Sequence, residues 1–91
     1  MADIDIHRKH KIGLKKAKVA AQRLADDLAE HFDLTTEWQG NVLHFTRSGV
    51  TGRLSVTKDQ VSLQAKLGFL LSALKPRIER RVEEDFEKYF V

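Results

Sequence analysis

Alternating apolar and polar side chains mark the first predicted element of the chain. Ile4, Ile6 and Arg8 alternate with Asp5 and His7, and a period of two residues is typical of a β-strand. After Gly13 the period lengthens to that of an amphipathic helix. One side of this helix carries Leu14, Ala17, Ala21, Leu24, Ala25, Leu28 and Phe32. Alanines favour helix formation and close packing, so we predict a helix that covers a sheet.

The period of two returns after Asp33 and persists through the middle of the chain. The segments that carry it are 34–38, 42–47, 50–56 and 61–67. Turn-forming residues separate them at Gly40-Asn41, Ser48-Gly49 and 57–60, and such polar or glycine-containing pairs suit hairpins. The pattern predicts an antiparallel meander with one apolar and one polar face.

Helical spacing resumes after Gly68. Apolar residues recur three or four positions apart at Leu71, Leu74, Ile78, Val82, Phe86 and Tyr89. Pro76 lies inside this pattern, where a proline either kinks a continuous helix or begins a separate one after a short turn. We predict the continuous, kinked helix, ending near Phe90, with Arg80 and Glu84 paired on its polar side.

These elements predict one α+β domain over residues 1–91, in the order β-α-β-β-β-β-α. Both helices should lie across one face of an antiparallel sheet, as in a small helix-grip-like arrangement. A chain of 91 residues, 42% hydrophobic and 32% charged, has room for a single core. It contains no cysteine, which excludes disulfides and thiolate chemistry. No signal peptide or membrane span is recognisable, so we expect a cytoplasmic protein.

The net charge of +3 is unevenly distributed. Between Arg8 and Arg23 there are seven basic residues and no acidic one. The candidate contacts to an anionic surface are Arg8, Lys9, Lys15, Lys16 and Arg23. A solvated basic face is the commoner explanation of such a run. Nucleic-acid binding is disfavoured because the segment has no interleaved aromatic residues and no recognisable motif.

Candidate catalytic chemistry is sparse. The histidines, at His7, His10, His31 and His44, lack the spacings of metal sites. No serine has the context of an activated nucleophile, and the glycines do not form a phosphate-binding loop. Asp85 falls on the apolar side of the last helix, where a pair with Arg81 is expected because an unpaired buried carboxylate is costly. We therefore expect no catalysis, cofactor or metal.

The segment from Leu67 to Leu74 is apolar nearly all round the predicted helix. Phe69 and Ala73 lie on the side opposite Leu71. The protein's own strands could cover both sides, or the segment could bind a partner, since uncovered apolar patches mark association sites. The candidate partner-binding residues are Phe69, Leu70, Ala73 and Phe90.

Three runs of residues are similar to those of one bacterial family. They are 6–10 (IHRKH), 44–52 (HFTRSGVTG) and 65–71 (AKLGFLL). On these runs, in order along essentially the whole chain, the sequence resembles the polyhydroxyalkanoic acid system family. Members of that family are small proteins encoded among bacterial genes for making, coating and using polyester storage granules. The resemblance carries over no catalytic residue.

This resemblance implies a granule-associated interaction or regulatory protein. The implied partner is the surface of a polyhydroxyalkanoate granule or a protein of its coat, and a homodimer is an open alternative. A second function also stays open, in which an apolar small molecule binds in a cavity between helix and sheet. The residues that would line such a cavity are Trp38, Phe45, Leu54, Leu63 and Leu71.

Overall fold

Every predicted strand is present in the computed structural model, which describes residues 3–90 except for the side chain of Leu70. The strands are β1 (Ile4–Lys9), β2 (Thr35–Gln39), β3 (Val42–Arg47), β4 (Val50–Val56) and β5 (Gln60–Leu67). The helices are α1 (Gly13–Phe32), a 3-10 helix (Phe69–Leu74) and α2 (Lys75–Tyr89). The predicted α+β class and element order are confirmed.

The five strands form one antiparallel sheet in the order β1-β5-β4-β3-β2. The chain passes through α1 between β1 and β2, which allows β1 to pair with the last strand instead of with β2. The register aligns one apolar row across every strand. This row consists of Ile6, Leu63, Leu54, Leu43 and Trp38. Its continuity explains why one face of the sheet must be covered.

Both helices cover that apolar face, as predicted. The buried positions of α1 are Ala17, Ala20, Ala21, Leu24, Ala25 and Leu28. Because four of these six are alanines, the axis of α1 can approach the strands closely. Helix α2 buries Ile78, Val82 and Phe86 and packs against α1 and β1. Among residues 3–90, no helix covers the opposite face of the sheet, and the side chains on that face are mostly polar.

The predicted continuous, kinked helix is wrong. Pro76 lies in the first turn of α2, and the preceding residues form a separate 3-10 helix. Proline is favourable at a helix start because its missing N–H would have no intrahelical partner there. The Gly68 backbone N–H donates to the Gly49 carbonyl over 2.6 Å, which ties the start of the 3-10 helix to the β3–β4 turn.

Gly52 is required for the packing of β4 against its neighbour. A Cβ atom at this position would overlap the ring of Phe45 and lie 3.1 Å from the Gln64 carbonyl oxygen. Phe45 is 3% exposed, so its ring has little space into which it can move. The glycine is thus explained by side-chain packing at this point of the sheet.

We predict that Gly52→Ala lowers the free energy of unfolding by about 2 kcal/mol, because overpacking forces side-chain and backbone shifts. Urea denaturation monitored by circular dichroism measures the change. Thr51→Ala, at an exposed neighbouring position of the same strand, is the control and should cost less than about 0.5 kcal/mol. Equal effects of the two substitutions would contradict the packing role of Gly52.

Candidate functional site

Phe69 is the most exposed large apolar side chain in the described part of the chain, at 91%. It begins the 3-10 helix, whose opposite side is fixed to the domain. Leu71 and Leu74 pack against the core, and the Leu71 N–H donates to the Gly68 carbonyl over 3.0 Å. A Phe side chain held in solvent by an anchored segment is suited to contact another surface.

The exposed surface continues from Phe69 into the first turns of α2. Ala73, Pro76, Arg77 and Arg80 are also exposed, and they follow Phe69 along the two consecutive helices. We call these five residues the docking ridge. Its first part is apolar and its last part is cationic.

The four predicted partner-binding residues differ in their exposure. Phe69 and Ala73 are exposed, whereas the side chain of Leu70 lies outside the described residues. Phe90 is only 5% exposed and packs edge-to-face on Phe86, with ring centroids 5.5 Å apart. The expectation that Phe90 extends the surface is therefore corrected. Its ring fills the core at the end of α2.

A groove of about 440 Å³ lies beside the docking ridge, where the end of α1 meets the start of α2. Its lining residues are His31, Phe32, Pro76, Arg77, Arg80, Arg81 and Glu84. The groove combines apolar side chains with guanidinium groups, so it offers contacts to a group that has both apolar and anionic parts.

The structure does not bring the five predicted anionic-surface contacts together. Arg8 forms an ion pair with Glu83 of α2 over 3.3 Å. Lys9 alternates with Arg8 along β1 and so faces the other side of the sheet. Lys15, Lys16 and Arg23 are exposed on the outer side of α1. These residues occupy three different surfaces, and they do not form one basic patch.

The contacts of His10 indicate a structural role for this histidine. His10 is buried, and its Nε2 lies 2.9 Å from the Thr57 carbonyl oxygen while its Nδ1 accepts from the Ile12 N–H. These two bonds fit a neutral imidazole with the proton on Nε2. Within residues 3–90, no three histidine or acidic side chains converge as a metal site would require.

No helix within residues 3–90 is long and apolar enough to cross a membrane.

A cluster of charged groups joins the two α-helices. Arg81 Nε and Nη2 donate to the two carboxylate oxygens of Asp27 over 2.7 and 2.8 Å. His31 Nδ1 lies 3.2 Å from the same carboxylate. The predicted pair of Arg81 with Asp85 is wrong, because the guanidinium of Arg81 reaches across to α1 instead. Asp85 is 4% exposed, and its Oδ2 has no hydrogen-bond partner.

The two carboxyl groups of this cluster have opposite pKa shifts. Hydrogen bonds from Arg81 hold the pKa of Asp27 well below its usual value. Burial, together with the neighbouring carboxyl group of Asp27, raises the pKa of Asp85 to about 7. Asp85 is therefore the member of the pair that is protonated below neutral pH. Arg81 satisfies the Asp27 carboxylate at this helix interface, whereas Asp85 Oδ2 has no partner among the described residues.

The interior leaves no room for the apolar ligand of the alternative function. Between helices and sheet the cavity measures only about 20 Å³, a volume on the scale of one water molecule. Phe45, Leu54 and Leu63 belong to the packed core, and Trp38 and Leu71 pack against it. The residues named as a cavity lining thus fill the space themselves.

The comparison with protein families identifies the chain. The family described as "Putative polyhydroxyalkanoic acid system protein (PHA_gran_rgn)" matches residues 4–90. The chain belongs to this polyhydroxyalkanoic acid system family. No curated protein and no solved structure gives a significant match. The family match relates this chain to the polyhydroxyalkanoic acid system, and the structure shows which side chains it exposes.

Sequence reasoning missed the cationic part of the docking ridge in this polyhydroxyalkanoic acid system protein. It assigned Arg80 to a pair with Glu84, but no ion pair between them is present at up to 4.0 Å. Pro76 was the residue in the sequence that could have indicated the start of a separate helix. A helix beginning at Pro76 places Arg77 and Arg80 in its first turns, directly after the exposed 3-10 helix.

We predict that Asp85→Asn becomes progressively more stable than the wild type as pH rises from about 4 to about 7. The folded-state pKa of Asp85 lies above its unfolded value of 3.8, so its contribution to stability is present at low pH and is lost as pH rises through about 7. The lowered pKa of Asp27 affects stability only at more acidic pH. The difference should grow by about 3 kcal/mol, since one pKa unit corresponds to about 1.4 kcal/mol.

Urea denaturation at several pH values measures this effect. Glu84→Gln, which neutralises an exposed acid one residue away, is the matched control and should show no comparable trend. A constant stability difference between wild type and Asp85→Asn across that pH range would contradict the buried, protonated state of Asp85.

Proposed function

We propose that this chain is a non-catalytic, granule-associated interaction or regulatory protein of the bacterial polyhydroxyalkanoate storage system. It acts in the cytoplasm and attaches to granules through the apolar part of the docking ridge. The single observation that carries the proposal is the 91% exposure of Phe69 on a segment anchored by Leu71 and Leu74. The family setting supports the granule as the place of attachment.

The energetics of Phe69 favour such a contact. Burying a phenylalanine side chain contributes about 2–3 kcal/mol of free energy. The fold does not gain this contribution from Phe69, because the side chain is exposed. Ala73 and Pro76 add exposed apolar surface in the turns that follow Phe69. A coated polyester granule presents apolar groups of the kind that this surface can bury.

The surroundings of the titratable groups support the non-catalytic part of the proposal. The side chains with the most perturbed pKa values are Asp27, Arg81 and Asp85. Catalytic groups with shifted pKa values usually face a cleft that admits substrate. Here Arg81 lines the groove, but its guanidinium group is bound to the Asp27 carboxylate, and Asp85 is buried beside them.

We predict that Phe69→Asp lowers the fraction of protein that co-sediments with isolated granules by about tenfold or more, since the lost burial exceeds about 1.4 kcal/mol. Quantitative immunoblotting of pellet and supernatant measures the fraction. The melting temperature should stay near that of the wild type, because the side chain is exposed.

Val19→Asp is the matched control. Val19 is 55% exposed on α1, and the substitution makes the same change in charge at another apolar surface position. Its co-sedimentation should equal that of the wild type. Undiminished granule binding by folded Phe69→Asp protein would refute the assignment of Phe69 to the docking surface.

A further inference from the structure

The cationic part of the docking ridge has no acidic partner within residues 3–90. Arg8 and Arg81 are engaged in ion pairs with Glu83 and Asp27, whereas Arg77 and Arg80 are exposed and form none. Neither of the two makes a side-chain hydrogen bond in that range. Two unneutralised guanidinium groups, one turn of helix apart, favour an anionic partner.

The surface around these arginines is concave. Arg77 and Arg80 line the groove of about 440 Å³ together with the apolar side chains of Phe32 and Pro76. Its lining also includes one acid, Glu84, and a third guanidinium group, that of Arg81, so positive charge prevails. A groove can accept a protruding side chain, whereas a flat polyester or lipid surface touches chiefly the residues that project. A neutral polyester also supplies no charge for the two guanidinium groups.

The charge of α2 reverses after the docking ridge. Glu83, Glu84 and Glu87 are exposed in the following turns. A uniformly anionic surface, such as a layer of acidic lipid, would attract Arg77 and Arg80 but repel these acids. A protein segment can place acidic residues against the arginines alone and match the rest of the helix with neutral or basic residues.

We propose that the docking ridge binds an acidic amphipathic segment of a protein in the granule coat. Apolar side chains of that segment cover Phe69 and Ala73, and a carboxylate next to them enters the groove and binds Arg77 and Arg80. This inference rests on the proposed granule association. It adds that attachment is to protein and depends on charge.

The experiment uses purified full-length protein and four surfaces. These are native granules from cells that lack the protein, the same granules after protease treatment, protein-free polyester particles, and phosphatidylglycerol vesicles. The wild type should bind native granules, and its binding to each of the other three surfaces should be at least about tenfold weaker. Binding to native granules should weaken as salt increases, because exposed charge pairs are screened.

The Arg77→Glu/Arg80→Glu variant should bind native granules at least about tenfold less than the wild type, since reversed charges repel the acidic segment. The matched control is Lys16→Glu/Arg23→Glu, which makes the same change in charge at exposed positions of α1 and should bind normally. Circular dichroism confirms that both variants are folded.

Three results would overturn the inference while leaving granule association intact. They are undiminished binding of the Arg77→Glu/Arg80→Glu variant, equal binding of the wild type to protease-treated granules or protein-free particles, and binding to vesicles as strong as to native granules. A change in oligomeric state caused by the same variant, seen by analytical ultracentrifugation, would instead identify a second copy of the chain as the occupant. Failure of the wild type to bind native granules would overturn both the inference and the proposed function.

Discussion

Two helices must cover the apolar face of a five-stranded sheet, and this requirement determines most of the remaining structure. Helix α1 packs over β2, β3 and β4, and α2 packs over β1. The alanines on the inner side of α1 allow it to lie close to the strands. Since burial of apolar surface is the main favourable term in folding, the positions of both helices follow from the row of apolar residues across the sheet.

The same requirement produces the exposed segment. After β5 the chain has to leave the sheet and reach the helical layer, and the 3-10 helix makes that connection. Leu71 and Leu74 pack against the core, whereas Phe69, on another side of the 3-10 helix, is exposed. Its exposure is thus a consequence of how the connector is anchored. The position has no role in the core that would require an apolar residue.

The contact between α1 and α2 combines apolar packing with buried charge. Arg81 and Asp27 join the helices by two hydrogen bonds, while Asp85 beside them is largely removed from solvent. The Arg81–Asp27 pair is the polar contact that joins α1 to α2, and it adds to the apolar packing between the two helices. Because α2 carries Arg77 and Arg80, the contact between the helices also positions the cationic part of the docking ridge.

The docking ridge and the family assignment address different parts of the function. Membership in the polyhydroxyalkanoic acid system family indicates the storage system in which the chain operates. The ridge indicates the chemistry that it presents, which is apolar at Phe69 and cationic at Arg77 and Arg80. Neither set of residues is needed to close the core, so both are available to a partner without cost to the fold.

Local periodicity determined the strands, α1 and the face of each that is buried. The direction of a side chain in a strand or helix follows from backbone geometry within a few residues, so the alternation from Val50 to Val56 and the alanines of α1 were sufficient. The three runs that resemble the family were likewise readable without coordinates. The sequence placed Phe69 away from Leu71 but left open whether the protein's own strands cover it, and only the folded structure showed that it is exposed.

Tertiary structure decided what depends on residues far apart in the chain. Arg81 binds Asp27, which is 54 positions away, instead of Asp85 one turn along the same helix. Phe90 is buried because it packs on Phe86 and lies beside His10 from the other end of the chain. A local ion pair between Arg81 and Asp85 would contribute only tenths of a kcal/mol, so the two hydrogen bonds to Asp27 outweigh it, and for Phe90 the burial available in the folded domain decides.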